Sequence, residues 1–316
     1  MKTINVLIFL FAVTTAFTQA IPSPIENIPF LVTFGSDADK SWGDDDFSQT
    51  FFISIPKTHK GPFFIRVYDP GTGGAYDEGK GAFNTKTKFS VYGGKGCISN
   101  KDARKVNPVG NYKSGNLLAT KTFSNDYDKK WYSFGPFNST SGEYMPAYGG
   151  YLFKIICDGI SGDDGNLYKY FVSTKPNENK AVEGGNAFTF EYTFRLHDSP
   201  KEVSHLYPYV DKNVISVKQS NFDWDDDGVF KFVTKARYAI YLNKSGNNNW
   251  GKSEHKVLEK EKESTFDLQM HKNKAHPAKN NNVTLYITNQ YDNALPFYVI
   301  PIGGVPKPST TIKMKR

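Results

Sequence analysis

FTFEYTF, residues 188–194, is the stretch of sequence that decides the fold of this chain. Phe188, Phe190 and Phe194 recur at even spacings, and Glu191 falls between them. Successive side chains of an extended chain point to opposite faces, so the phenylalanines share one face and Glu191 lies on the other. The pattern predicts a β-strand that packs an aromatic face against a core.

Other segments of the chain have the same character, being short, rich in β-branched and aromatic residues and separated by polar turns. The further predicted strands are residues 51–55, 63–68, 88–92, 151–157, 167–172, 214–217, 229–233, 238–242, 283–287 and 297–300. Only residues 254–263 are rich in helix-favouring side chains, and they are too polar to form a core helix. The chain is therefore predicted to be all-β and built of β-sandwiches.

The length of 316 residues suits two domains of ordinary size. One set of predicted strands ends before residues 197–201, and a fresh set begins after them. We therefore predict two tandem antiparallel β-sandwich domains of jelly-roll type, over residues 21–200 and 201–316.

The N-terminus has the layout of a cleaved secretory signal peptide over residues 1–20. Lys2 precedes a short apolar run over residues 6–13, and Thr18 and Ala20 offer small side chains for cleavage. The run is too short to span a membrane, and no later segment is apolar enough to do so. We expect a protein exported to the periplasm or the extracellular space.

The formal net charge of +7 comes from lysines spread along the chain rather than from one basic run. Spread lysines are typical of a solvated surface, and export also argues against nucleic acid as a partner. The alternative is that they attract the protein weakly to an acidic polysaccharide or an anionic cell surface.

Cys97 and Cys157 are the only cysteines of the chain. In an oxidising compartment such a pair is expected to form one disulfide, and two free thiols are the alternative. Neither cysteine has a second cysteine or a histidine at the spacing of a zinc site.

Two acidic clusters lie beside tryptophans, WGDDDF at residues 42–47 and DWDDDG at residues 223–228. Adjacent aspartates repel one another, so they need solvent, a basic neighbour or a cation. The second cluster has the D-x-D-x-D-G pattern of a calcium loop, but Thr234 stands where an EF-hand has its glutamate. We predict calcium loops of another kind, and solvated turns balanced by lysines are the alternative. The predicted ligands are Asp37, Asp39, Asp44 and Asp46 in the first region and Asp223, Asp225 and Asp227 in the second.

A third acidic loop, residues 69–79, combines carboxylates with four glycines between two predicted strands. Glycine lets backbone carbonyls turn inward, so Asp69, Asp77 and Glu78 are further candidate calcium ligands. A flexible hairpin connection is the alternative interpretation.

Aromatic side chains in loops offer a second functional signal. Trp131, Tyr148 and Trp250 lie among glycine, proline, asparagine and lysine residues, where a flat ring can stack on the face of a sugar. Packing into the core or a turn is the alternative for each of them.

The segment from Phe51 to Asp69 consists of an apolar strand ending in Pro56, a polar turn and a strand that leads into Asp69-Pro70. This segment resembles bacterial pre-peptidase C-terminal-type β-sandwich domains. The resemblance covers under a tenth of the chain, and it implies a non-catalytic module of a secreted protein, of a kind associated with calcium or polymer binding. The long insert between Asp69 and Lys88 departs from the family pattern.

Enzyme signatures are missing from the sequence, which has no G-x-S-x-G elbow and no H-E-x-x-H pair. The prediction is therefore a secreted, non-catalytic protein that uses calcium and binds polysaccharide or a cell-surface partner. Two alternatives stay open. One is a secreted glycan hydrolase, for which Asp44, Asp69 or Asp77 could serve, and the other is a structural or adhesive component of an extracellular assembly.

Overall fold

The computed structural model describes residues 19–79, 81–125 and 129–308. The fold is all-β, with 44% of the residues in strands, and the helices of the described part are single 3₁₀ turns. The prediction of an all-β, sandwich-like architecture is confirmed. Most of the predicted signal peptide, residues 1–18, lies outside the described residues.

Twenty-two strands make up the described chain. The first twelve are β1 Ala20–Ile21, β2 Phe30–Phe34, β3 Ser48–Ile55, β4 Phe63–Tyr68, β5 Lys86–Gly93, β6 Asn116–Phe123, β7 Trp131–Phe137, β8 Glu143–Met145, β9 Gly150–Ser161, β10 Gly165–Ser173, β11 Asn186–Thr189 and β12 Glu191–Arg195. The others are β13 Val203–Leu206, β14 Tyr209–Val210, β15 Ser216–Phe222, β16 Val229–Val233, β17 Ile240–Tyr241, β18 Trp250–Lys256, β19 Ser264–Thr265, β20 Asp267–His271, β21 Asn282–Asn289 and β22 Phe297–Tyr298. The 3₁₀ turns are Lys40–Trp42, Lys101–Arg104, Ser139–Ser141, Pro146–Tyr148 and Glu259–Glu261.

The strands form two large antiparallel sheets and two small ones. The nine-stranded sheet has the order β18-β15-β21-β12-β2-β10-β4-β7, with β1 also paired to β10. The seven-stranded sheet has the order β22-β11-β3-β9-β5-β6, with β8 also paired to β9. A four-stranded sheet, β13-β20-β16-β17, and the pair β14-β19 complete the fold.

The two large sheets pack face to face through an aromatic core. Phe51 of β3 meets Tyr192 of β12 edge to face, with ring centroids 5.2 Å apart. Phe89 of β5 meets Tyr168 of β10 in the same way at 5.1 Å. All four rings are fully buried. Edge-to-face pairs of this kind stabilise a core beyond the area that they remove from water.

The segment 188–194 is not one strand but two, because the chain changes sheets at Phe190. Phe188 and Phe190 pack against Phe52 outside the main core, whereas Tyr192 and Phe194 face the interior between the sheets. The alternation of the sequence is therefore real, but it serves two different sheets. As a result β12 begins with Glu191, whose side chain lies on the outer face of the nine-stranded sheet.

Strands from both sides of residue 200 pair within the same sheets. In the nine-stranded sheet β12 pairs with β21 over residues 191–195 and 286–282. In the seven-stranded sheet β11 pairs with β22. The two predicted halves thus share sheets, and their division at residues 200 and 201 as separate domains stays a prediction.

The predicted disulfide is wrong, since Cys97 and Cys157 are both free and buried. Cys157 lies on β9 with its side chain in the core between the sheets. Cys97 packs with Tyr92 and Ile156, and Ile156 points to the opposite face of β9 from Cys157. The sheet therefore separates the two sulfur atoms.

This arrangement predicts the reactivity of the thiols. Burial raises the pKa of Cys97 to about 12 and also raises the pKa of Cys157, so neither forms a thiolate at neutral pH. We expect no reaction of the folded protein with a disulfide reagent and two titratable thiols in denaturant without reductant. If the denatured, unreduced protein shows no reactive thiol, the two cysteines are bridged and this prediction is wrong.

Candidate functional site

An acidic pocket lies on the outer face of the nine-stranded sheet. Asp44, Asp45 and Asp46 each place a carboxylate oxygen within 4.8 Å of the other two, and they are the one such group in the described part of the chain. Glu191 lies close enough to all three for their charges to affect its ionisation. We call these four residues the acidic pocket.

The backbone of residues 42–44 is docked on the sheet by side chains of β21. The Trp42 carbonyl accepts a hydrogen bond from Asn282 Nδ2 at 2.8 Å, and the Gly43 carbonyl accepts one from Thr284 Oγ1 at 3.0 Å. Gly43 has φ +94°, and a Cβ there would lie 2.2 Å from the Asn282 carbonyl oxygen. Only glycine fits this close approach, and the approach allows the three aspartates that follow to lie against the sheet.

Asp44 is buried and anchors the segment to β2. Its Oδ2 accepts a hydrogen bond from Phe34 N at 2.8 Å, and its Oδ1 accepts one from Phe47 N at 2.9 Å. Burial raises the pKa of Asp44 to about 7, although these amide hydrogen bonds favour the carboxylate. The charged form is therefore costly unless a cation offsets it.

Two of the remaining carboxylates of the pocket are under-satisfied, whereas Asp46 Oδ1 accepts a hydrogen bond from Ser48 N at 3.0 Å. Oδ1 of Asp45 and Oε1 of Glu191 are enclosed and have no hydrogen-bond partner. Burial, together with the neighbouring carboxylates, raises the pKa of both Asp46 and Glu191 well above the ordinary range. In the described residues no lysine or arginine forms an ion pair with any member of the pocket. Lys40 acts on Asp45 and Asp46 only from a distance.

A cavity of about 30 Å³ lies beside Asp46 and Glu191, under the segment that follows the 3₁₀ turn Lys101–Arg104. That volume suits one water molecule or one ion. Its other lining atoms include polar groups of Ser48, Gln49, Thr50, Asn107 and Thr193. Hydroxyl, amide and carboxylate oxygens are the ligands that a hard cation such as Ca²⁺ takes.

The side chain of Gln49 lies where strands β2 and β12 separate, next to the cavity. Its Oε1 accepts a hydrogen bond from Thr193 N at 2.9 Å, and its Nε2 donates to Tyr168 Oη at 3.2 Å. Strands β2 and β12 pair only at their far ends, Leu31 with Phe194 and Phe30 with Arg195. The Gln49 amide therefore fills the gap where these strands separate, and the acidic pocket lies over that gap.

The predicted ligands Asp37 and Asp39 serve the backbone instead. Asp37 Oδ2 accepts a hydrogen bond from Gly162 N at 2.8 Å. Asp39 caps the 3₁₀ turn Lys40–Trp42 by accepting from Ser41 N at 2.9 Å. Both brace the loop that leads into the acidic pocket.

The second acidic cluster does not converge on one point. Asp223 Oδ1 accepts from Asn248 N, whereas Asp227 accepts from Asn273 N and Ala278 N in a different loop. Among described residues no group of three metal-ligating side chains includes Asp223, Asp225 or Asp227. The D-x-D-x-D-G spacing is present, but the aspartates point to two different neighbours and tie loops together.

Both tryptophan-flanked segments nevertheless dock at the same end of β21. Asn281 Nδ2 donates to the Trp224 carbonyl at 3.2 Å, and the next residue, Asn282, donates to the Trp42 carbonyl. The Trp224 ring is buried in the core, whereas Trp42 packs edge-on against Phe34 at 5.5 Å on the outer face. The segments are thus neighbours, with different roles.

The third acidic loop, residues 69–79, is also held by internal contacts. Asp69 Oδ1 accepts from Lys129 N at 2.9 Å. Asp77 accepts from Gly73 N and from Leu167 N, both at 2.7 Å. Glu78 forms an ion pair with Arg195, so its charge is already balanced.

The three predicted sugar-stacking residues are dispersed. Trp131 lies at the β7 edge of the nine-stranded sheet, beside Tyr68 with ring centroids 5.3 Å apart. Tyr148 stacks on Phe188 at 5.1 Å, outside the seven-stranded sheet. Trp250 lies at the opposite edge of the nine-stranded sheet from Trp131.

Of these residues Trp250 belongs to the neighbourhood of the acidic pocket. Its ring lies 5.2 Å from Phe222 and 5.1 Å from Tyr286, and Trp250 and Tyr286 are partly exposed. Tyr286 is the direct cross-strand partner of Glu191. We call Phe222, Trp250 and Tyr286 the aromatic patch, and it adjoins the acidic pocket on one face of the sheet.

Sequence reasoning selected Asp44 and Asp46 but missed Asp45 and Glu191 as members of the site. Glu191 was assigned to the polar face of a strand, which is where it lies. The signal that it is special, a single carboxylate among the aromatic, threonine and alanine residues of 187–194, is weak without the three-dimensional neighbours.

Comparison of the chain with protein-family models and with curated proteins finds no match. The resemblance of residues 51–69 to pre-peptidase C-terminal-type domains therefore stays a prediction. In the described part of the chain, no helix has the length and apolar character needed to cross a membrane.

The raised pKa values of the acidic pocket predict how the free energy of unfolding depends on pH when a chelator keeps the protein free of metal. The folded protein holds protons on these carboxyl groups at pH values where the unfolded chain has lost them, from about 4 to about 7 for Asp44. Folding therefore takes up protons, and the free energy of unfolding falls as pH rises through this interval.

The variant Glu191→Gln removes one repelling charge. In EDTA we expect its Tm to exceed that of the wild type by at least about 2 °C at pH 8, with a smaller difference at pH 5. Glu183→Gln, at an exposed position, is the matched control and should change neither value. A pH-independent loss of stability in Glu191→Gln would contradict the description of the pocket.

Proposed function

We propose that this chain is a secreted, non-catalytic β-sandwich protein that binds Ca²⁺ in the acidic pocket and polysaccharide or a cell-surface glycan on the adjoining aromatic patch. The observation that supports the metal is the convergence of three carboxylates with Glu191 in electrostatic range, because Asp45 and Glu191 each have an enclosed oxygen atom that lacks a partner. The proposal of export rests on the N-terminal sequence alone.

Ca²⁺ suits the chemistry of the pocket. It binds six to eight oxygen atoms in a flexible geometry, and the pocket supplies carboxylates together with the oxygen-bearing side chains of Ser48, Gln49 and Thr50. A bound cation would offset the burial cost of Asp44, Asp46 and Glu191. It would also join the segment of residues 42–47 to β12. Without a cation, the aspartates of this segment and Glu191 of β12 repel one another.

The geometry favours binding over hydrolysis. The carboxyl pair of a glycosidase must flank a glycosidic bond, with separations of about 5–9.5 Å that leave room for a sugar and a water molecule. One carboxylate oxygen of each of Asp44, Asp45 and Asp46 lies within 4.8 Å of the other two, and the adjacent cavity of about 30 Å³ is small for a sugar ring. The other candidate acids, Asp69 and Asp77, accept backbone hydrogen bonds.

The aromatic patch offers the stacking surface that a sugar ring requires. A cross-strand row runs from Glu191 through Tyr286 and Ser220 to Lys252 on the outer face. Of this row, the Tyr286 hydroxyl and the Lys252 ammonium lie on the same face as Trp250, which is two residues from Lys252 on β18. Such groups can bond sugar hydroxyls while the ring face packs against the apolar face of the sugar.

Calcium binding is tested by calorimetry and by thermal unfolding with Ca²⁺ and with EDTA. We expect a Kd of about 10⁻⁴–10⁻³ M, the range of extracellular calcium modules, and a Tm that rises with Ca²⁺ concentration. Asp46→Asn should raise the Tm in EDTA and lose most of the calcium-dependent rise. Asp163→Asn, an exposed aspartate elsewhere, is the matched control. An unchanged wild-type Tm at 10 mM Ca²⁺ would remove the calcium proposal.

Glycan binding is tested on an array of polysaccharides, followed by titration of the strongest ligand. We expect Trp250→Ala to weaken binding about tenfold, which corresponds to about 1.4 kcal/mol. Trp131→Ala, at the opposite edge of the same sheet, should leave the affinity unchanged. Loss of binding in Trp131→Ala alone would place the ligand elsewhere, and release of reducing sugar would favour the hydrolase.

A further inference from the structure

Two histidines lie together on the outer face of the four-stranded sheet. In the antiparallel pair β13–β20, His205 is opposite Gln269 and Val203 is opposite His271. The neighbouring residues Leu206, Leu268 and Met270 point into the core. His205 and His271 are therefore diagonal neighbours on one face, a relation in which Cα atoms lie about 7–8 Å apart.

A chain of hydrogen bonds orients both rings. His205 Nδ1 lies 2.8 Å from Asp267 Oδ1, and Gln269 Nε2 donates to Asp267 Oδ2 at 2.7 Å. His271 Nε2 lies 3.1 Å from Gln269 Oε1. Both carboxylate oxygens of Asp267 are hydrogen-bonded, and its bond to Gln269 Nε2 turns the amide oxygen of Gln269 towards His271.

These hydrogen bonds fix the tautomer of each histidine. His205 must carry its proton on Nδ1 to donate to Asp267, and His271 must carry its proton on Nε2 to donate to Gln269. The lone pairs of the neutral rings therefore lie on His205 Nε2 and His271 Nδ1. In the described residues neither of these two nitrogen atoms has a hydrogen-bond partner. Both rings are partly exposed to solvent.

We propose that His205 Nε2 and His271 Nδ1 bind a transition-metal ion of the zinc and copper class, with Asp267 and Gln269 as positioning residues. Imidazole is the preferred ligand of such ions, and ligating histidines almost always donate their second ring N–H to a carboxylate or carbonyl oxygen. Two protein ligands leave the other coordination positions to water or to a group of a bound partner.

The local charge limits the affinity but favours the metal-binding form of the ring. Burial lowers the pKa of His271, and the charge of Lys231 lowers it further, so this ring is neutral at pH 7. The charge of Lys231 also opposes a bound cation. The site differs in kind from the acidic pocket, since nitrogen ligands select borderline ions and carboxylates select Ca²⁺.

The test is a titration of the full chain with Cu²⁺ in 10 mM Ca²⁺, followed by electron paramagnetic resonance. We expect micromolar binding of one Cu²⁺ with hyperfine splitting from two nitrogen atoms. His205→Ala and His271→Ala should each weaken binding at least about tenfold and remove the two-nitrogen spectrum. His276→Ala, an exposed loop histidine, is the matched control and should alter neither. An unchanged two-nitrogen spectrum in both site variants would overturn the proposal.

Asp267 is tested as a positioning residue with Asp267→Asn. The affinity should fall by about 10–100-fold with a changed copper spectrum, while the calcium-dependent Tm is retained. A measurement on the unaltered chain covers the case in which a variant does not fold. Zn²⁺ should slow the modification of His205 and His271 by diethylpyrocarbonate, read by mass spectrometry, without slowing that of His276. Equal modification of all three with and without Zn²⁺ would reject the site.

Discussion

The corner at Phe190, where the chain passes from one large sheet to the other, is the constraint on which the rest of the structure depends. It ties β11 and β12 into opposite layers with no loop between them. Because β12 then pairs with β2 on one side and with β21 on the other, it also joins strands from the two ends of the chain. The first residue after it is Glu191, so the element that holds the layers together also supplies a carboxylate to the acidic pocket.

The acidic pocket and the histidine pair are both proposed metal sites, but the first offers carboxylate oxygens and the second offers imidazole nitrogens. In the pocket, buried carboxylates repel one another, and the fold supplies no cation by ion pairing in the described part of the chain. In the pair, one carboxylate, Asp267, orients His205 directly and His271 through Gln269. Hard and borderline metal ions would therefore separate between the two places, since the ligand atoms differ.

Much of the architecture could be predicted from local pattern, because alternation and turn residues act over short distances. The strands around Phe51, Phe89 and Tyr168 formed as expected. What depends on long-range register could not be predicted. The spacing of Asp223 and Asp227 does not reveal that they serve different loops, and the sequence around Cys157 does not reveal which face of β9 it occupies. Glu191 joins the acidic pocket only through strand pairing.

The docking of both tryptophan-flanked segments on successive asparagines has a consequence for how β21 finds its place. Asn281 is matched to the Trp224 carbonyl and Asn282 to the Trp42 carbonyl. Because Asn280 precedes them, a slip of one residue could still place an asparagine at each position, but it would turn Val283, Leu285 and Ile287 away from the core. The two docked loops and the apolar face of β21 together therefore fix one alignment of this strand.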